Sequence, residues 1–134
     1  MRIMIDANVL VSGLLFSHSQ VSTILEYIAR NHQLVISSYV LEEFKAVVVR
    51  KFSHRIGEAD ALLEKLSYEL VYTPDAPEPG IFFIRDAADY PVLYTAILEG
   101  VDVLVTGDKD FADAETDVPE ILTPRQFMDL YMQR

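Results

Sequence analysis

The chain has 134 residues, 51% of them hydrophobic, and carries 11 Lys+Arg against 21 Asp+Glu for a formal net charge of −10. That length supports one full hydrophobic core but not two ordinary domains, so residues 1–134 are expected to form a single domain. The acidic balance excludes a broad basic face that holds nucleic acid by phosphate contact alone, unless bound cations reverse the sign locally. With no cysteine, disulfide frameworks and thiolate zinc sites are also excluded. No apolar run is long enough to span a bilayer and no signal-like segment precedes the first strand, which leads to the expectation of a cytoplasmic protein without a membrane partner.

In chain order, residues 2–5 form a continuously apolar strand, the pattern of a strand covered on both faces. Val21, Ile24, Leu25 and Ile28 share helical spacing and predict a helix ending near Asn31. Leu34-Val35-Ile36 is the second strand, after which Ser37 or Ser38 can cap a helix with Val40, Leu41, Phe44 and Val48 on one face. Gly57 is read as a break before a helix over 58–67, and Leu70-Val71-Tyr72 as a strand. Residues 74–80, rich in proline, form a loop, and Phe82-Phe83-Ile84 is read as extended. A helix over 90–99 ending at Gly100, a strand over 103–106, a short strand near Ile121-Leu122 and a final helix from Pro124 complete the pattern. Alternating strands and helices predict an α/β fold with a parallel sheet covered by helices on both faces.

Two apolar strands run into acids. Ile3-Met4-Ile5 meets Asp6, and Val103-Leu104-Val105-Thr106-Gly107 meets Asp108, with Gly107 expected to permit the tight turn. The carboxyl ends of parallel strands are where open α/β sheets place their chemistry. Asp6 also has the simpler reading of a turn residue, but Asn8 and Ser12 follow it and add oxygen ligands or hydrogen-bond donors. On the third helix, Glu43 lies at the edge of the apolar face beside Val40 and Val47, whereas Glu42 points away toward solvent. In Arg85-Asp86-Ala87-Ala88-Asp89-Tyr90-Pro91, either acid can cap the following helix. Asp89 is the better placed because Pro91 is tolerated in a first turn, which leaves Asp86 to Arg85 or to the rim. Asp110 is a second acid near the site or a cap, and Asp113, Glu115 and Asp117 have the pattern of solvated surface.

Gathered acids repel one another and raise their own pKa values unless a hard divalent cation such as Mg²⁺ or Mn²⁺ is bound among them. Such ions can activate water and stabilise the leaving oxygen in phosphodiester cleavage. His18, His32 and His54 have no ligand-like spacing.

Taken together, these residues resemble the PIN-domain family of metal-dependent ribonucleases, especially the toxin components of prokaryotic toxin–antitoxin pairs. Asp6 with Asn8 and Ser12 is similar to the family's first acidic motif, and Ser38-Tyr39-Val40-Leu41-Glu42-Glu43-Phe44 to the helix supplying its second acid, placed at Glu43. The segments Arg85–Leu93 and Leu104–Phe111 resemble the third and fourth motifs. By this resemblance the third acid is Asp89, with Asp86 as competitor, and the fourth is Asp108, with Asp110 and Thr106 as auxiliaries. The resemblance implies a three-layer α/β/α sandwich around a parallel sheet of about five strands and Mg²⁺- or Mn²⁺-dependent cleavage of single-stranded RNA. It further implies a homodimer and an inhibitory antitoxin protein.

Rival readings are a phosphatase of the haloacid dehalogenase type, a phosphate-receiver domain and a noncatalytic PIN-like binding module. The phosphatase type normally begins Asp-x-Asp, whereas here Asn8 stands at the second position. Partner surfaces are expected at the basic stretch from Lys45 to Arg55, where Arg50, Lys51 and Arg55 are candidate RNA contacts, and at Val49, opposite the core phase. The simpler reading of the basic residues is a helix end favourably carrying cations.

Overall fold

The computed structural model describes residues 1–114 and 116–132. Five strands, β1 (Arg2–Ile5), β2 (Gln33–Ser37), β3 (Tyr68–Val71), β4 (Val103–Val105) and β5 (Glu120–Leu122), form one parallel sheet in the order β3-β2-β1-β4-β5. Successive residues of a strand face opposite sides of its sheet. Because Ile3, Met4 and Ile5, Leu34, Val35 and Ile36, and Val103, Leu104 and Val105 are all buried, both faces of the central strands must be covered. The helices do this, which gives the expected three-layer sandwich. Strand order reverses between β1 and β4, whose residues Ile5 and Val105 are directly paired, so these two strands open a crevice at their carboxyl ends.

Among the described residues, six α-helices lie between and after the strands: α1 (Ala7–Leu15), α2 (Gln20–Asn31), α3 (Ser38–Lys51), α4 (Ile56–Lys65), α5 (Tyr90–Leu98) and α6 (Pro124–Tyr131). Their starts follow local chemistry. Ser19 Oγ accepts the Ser22 N–H at 3.3 Å, and Ser37 Oγ accepts the Val40 N–H at 3.2 Å. In α6, Thr123 and Gln126 form a reciprocal capping box. Gly100, with φ of +64°, ends the turn after α5 in the left-handed region that glycine tolerates best. Helix α3 buries Val40, Phe44 and Val48, one residue per turn, and thereby fixes the direction in which Glu43 looks. Ser37→Ala leaves a buried N–H unpaired at the start of this helix and is expected to cost about 1 kcal/mol, read from the midpoint of urea denaturation.

Four local expectations change. Helix α1 lies in a segment the periodicity left unassigned: it starts directly behind Asp6 and buries Ala7, Val9, Leu10, Gly13 and Leu14. Gly57 lies inside α4, and the break falls instead at the 3₁₀ turn Ser53–Arg55. Phe82-Phe83-Ile84 is loop, with no neighbouring strand to pair with. Phe82 stacks on Tyr90 with ring centroids 4.3 Å apart, and the Tyr90 hydroxyl donates to the Glu78 carbonyl at 2.6 Å. Gly107 does not occupy the left-handed region, and an added Cβ there would meet Asn8 at an ordinary 3.9 Å. Hydrogen bonds, rather than glycine's freedom, make that turn. Glu115 lies outside the described residues. Among the described residues no helix is long and apolar enough to cross a membrane.

Candidate active site

Asp6 is the first residue past β1. Its N–H continues the sheet ladder to the Val105 carbonyl at 3.0 Å, which holds its side chain over the β1–β4 crevice. Oδ1 accepts the Ala7 N–H at 2.8 Å and so caps α1, and Oδ2 accepts the Thr106 hydroxyl at 2.8 Å. Asp6 as a whole is only 4% exposed. Burial pushes its pKa up and the charge of Asp108 adds to this, against the two hydrogen bonds that favour the ionised form.

Thr106 occupies the matching position past β4. Its Oγ1 donates to Asp6 and accepts the Asp108 N–H at 3.1 Å, so one hydroxyl couples both strand-end acids. Asp108 Oδ1 in turn accepts the Asp110 N–H at 2.8 Å, capping the 3₁₀ turn Lys109–Phe111. Asn8 Oδ1 receives the Gly107 N–H at 3.4 Å, a further tie between the two loops.

Of the two acids before α5, it is Asp86 and not Asp89 whose side chain makes a cap bond. Asp86 is the cap, accepting the Ala88 N–H at 2.9 Å over the 3₁₀ turn Ala87–Asp89. Asp89 makes no cap bond, and its Oδ2 is buried without a hydrogen-bond donor. Burial first, then the charges of Asp108 and Asp6, push Asp89 up to about 7. Arg85 pairs with Asp113 and reaches Asp110 at 3.9 Å.

Asp6, Asp89 and Asp108 each present an oxygen within 4.8 Å of the others. These residues line a cleft of about 370 Å³ together with Asn8, Ser12 and Glu43. Glu43 faces the cleft but stands outside the tight triad; burial raises its pKa, and Asp6, Asp108 and Asp86 add to the shift. A second grouping, Asp86, Asp89 and Asp110, shares Asp89 with the first. The donor set is hard carboxylate oxygen, three pKa values are displaced toward protonation and one buried oxygen lacks a donor. A small divalent cation such as Mg²⁺ or Mn²⁺ answers all three conditions, so the residues fit such an ion.

Arg50, Lys51 and Arg55 are not among the residues that line this cleft. Arg50 and Lys51 are exposed on α3, and Arg55 is tied down, its guanidinium donating to the Leu14 carbonyl at 3.5 Å and pairing with Glu58 at 3.6 Å. Val49, at 60% exposure, is outside the core as its helical phase requires.

Tyr39 was missed from the sequence. Its hydroxyl donates to the Ala88 carbonyl at 2.8 Å, joining the helix of Glu43 to the turn of Asp89. Burial raises the phenol's pKa, and the charges of Glu43, Asp89, Asp6 and Asp86 raise it further. No sequence signal links Tyr39 to a carbonyl 49 positions away. Helix α1, by contrast, had one: an Asp in capping position followed by apolar residues 9, 10 and 14.

Comparison with known proteins follows the same outline. No curated protein matches. Among solved structures, VapBC2 from Rickettsia felis, bound to a DNA fragment from their promoter, is similar with a TM-score of 0.68 and 23% identity, over 91% of this chain and 97% of that one. VapC20 of Mycobacterium tuberculosis, a sarcin–ricin loop cleaving toxin, is similar with a TM-score of 0.59 and 13% identity, over 82% of this chain and 92% of that one. At these identities the likeness is one of fold. The model of the PIN domain matches residues 2–110, a span that contains Asp6, Glu43, Asp89 and Asp108. The chain therefore belongs to the PIN-domain family.

Proposed function

We propose that this chain is a divalent-metal-dependent endoribonuclease that hydrolyses phosphodiester bonds of single-stranded RNA, and that it is the toxin component of a toxin–antitoxin pair. The observation that carries the reading is the convergence of Asp6, Asp89 and Asp108 around a buried carboxylate oxygen that lacks a donor. A protein with net charge −10 draws an RNA phosphate into an acidic cleft only if cations sit there first. The likeness to VapC20, a sarcin–ricin loop cleaving toxin, supports an RNA substrate here, and the likeness to VapBC2, bound to a DNA fragment from their promoter, supports a partner protein. A homodimer belongs to the same reading, and twice 15.2 kDa by light scattering is the expected result.

Asp6, Asp89 and Asp108 would hold Mg²⁺ or Mn²⁺, directly or through water. When bound, such an ion supplies positive charge to the acids and the phosphate and acidifies a water for attack at phosphorus. Asp6 is held in place by Ala7 and Thr106, so no reorientation precedes substrate binding. Glu43, which lines the same cleft outside the triad, would hold the ion through water or take the proton that the attacking water loses. As the water oxygen bonds to phosphorus, the bond to the leaving ribose oxygen breaks, and that oxygen takes a proton from solvent to leave as a hydroxyl. No side-chain nucleophile is required.

The test is turnover of a panel of single-stranded and structured RNAs beside a phosphomonoester. Cleavage of RNA alone supports the nuclease; turnover of the phosphomonoester alone supports the phosphatase reading; turnover of neither leaves a binding module. A finer prediction concerns Thr106→Val, which keeps the side chain's shape but removes the hydroxyl shared by Asp6 and Asp108. Mn²⁺ affinity is expected to fall about 10- to 100-fold by titration, as for other groups that orient metal ligands. A change below about twofold would show that Thr106 does not orient them.

A further inference from the structure

A second cavity, about 330 Å³, opens beyond the acidic triad at the carboxyl ends of β4 and β5, and Thr106 and Asp108 form the wall it shares with the site. Its size falls in the range of small-ligand pockets, roughly 300–1,000 Å³. Phe111, Ile121 and Leu122 supply an apolar lining, and Gln126 a polar edge. In the capping box of α6, the Thr123 N–H donates to Gln126 Oε1 at 2.9 Å, which settles the orientation of that amide. Gln126 Nε2 is left with no protein partner among the described residues.

We infer that this cavity is a nucleobase subsite: it receives the unpaired base next to the scissile phosphate and reads its edge with the Gln126 amide. The inference rests on the ribonuclease reading above. Unpaired RNA bases are recognised by apolar or aromatic surfaces on their faces and by amide or hydroxyl groups on their edges, and the cavity offers both. Asp108 belongs to both compartments, so a phosphate held at the triad brings the adjoining nucleoside to the cavity mouth. The strand thereby gains sequence discrimination that the acids themselves cannot supply, since they meet only phosphate and water.

The test uses a pool of short single-stranded RNAs randomised around the cleaved bond, with product sequencing. Gln126→Glu keeps the oxygen that accepts the Thr123 N–H, and Ser/Thr-x-x-Glu is itself a capping box, so the fold is retained. It replaces the free amide donor with an acceptor. Ala112→Phe fills the cavity from a lining residue outside the acidic triad. The wild type is expected to favour particular bases at one position beside the cut. Gln126→Glu should change the ratio of favoured to disfavoured base by about 10-fold, and Ala112→Phe should reduce discrimination to about twofold or less. Affinity of the Asp6→Asn variant for uncleaved tetranucleotides should follow the same ranking. An unaltered ranking in both variants, or a uniform fall across all sequences, overturns the subsite. A wild type that cleaves no RNA overturns the nuclease reading, and the subsite with it.

Discussion

Asp6→Asn should reduce RNA cleavage by about 10²- to 10³-fold while the metal-free protein stays folded, with a melting temperature equal to or above that of the wild type. Asparagine is as good a helix cap as aspartate, and it can accept the Ala7 N–H and donate to the Thr106 hydroxyl. The substitution therefore removes a charge and little else. In the metal-free protein that charge is a liability: Asp6 is buried beside Asp108, and its raised pKa shows that the folded state holds the ionised form poorly. Activity and stability are expected to move in opposite directions. A variant that loses both has lost its fold and says nothing about chemistry; circular dichroism and thermal melting distinguish the cases. Retained cleavage would remove Asp6 from the mechanism.

The stability of the metal-free protein should also fall as pH rises toward neutrality, and Mn²⁺ should cancel the fall. Asp89 has an ordinary pKa of 3.8 and titrates at about 7 in the fold. Between those values the folded state binds more protons than the unfolded chain, so the unfolding free energy decreases with pH across that window. Asp6 and Glu43 shift in the same direction. His32, held below its usual value by burial, acts with the opposite sign, since its contribution is lost as pH falls. The variant Asp89→Asn isolates the acidic term and should flatten the slope. Bound Mn²⁺ requires deprotonated ligands, so the rise in melting temperature it produces should grow from pH 5 to pH 7.5. A pH-independent Mn²⁺ effect, with a flat or rising metal-free profile, would mean that the acids do not meet as described.

Much of this site could be read from local pattern, and the limits of that reading have physical causes. Apolar runs at 3–5 and 103–105 mark buried parallel strands, so Asp6 and Asp108 could be placed at strand ends without coordinates. Their meeting depends on β1 and β4 lying side by side, a long-range pairing across about 100 positions that no local window encodes. Glu43 followed from helical phase, because Phe44 and Val48 fix which side of α3 is buried. For Asp86 and Asp89, the local rule that favours Asp89 as cap because of Pro91 chose the wrong residue. Both are acids three residues apart before a helix, and only the closure of the 3₁₀ turn assigns the cap to Asp86 and leaves Asp89 facing Asp108. Phe82–Ile84 has strand-like composition but no partner strand, and composition cannot report that. The link from Tyr39 to Ala88 and the cavity between β4 and α6 are likewise products of tertiary packing.

All of these effects depend on whether the acidic cluster cleaves RNA with the help of a divalent ion. Single-turnover cleavage of a single-stranded RNA by EDTA-treated protein, before and after Mn²⁺ is restored, addresses this with Asp6→Asn as the control for contaminating nuclease. The expected result is no cleavage in EDTA, full recovery with Mn²⁺ and no recovery in Asp6→Asn. Undiminished cleavage in EDTA by the wild type, with Asp6→Asn inert in the same buffer, would contradict a metal-dependent site.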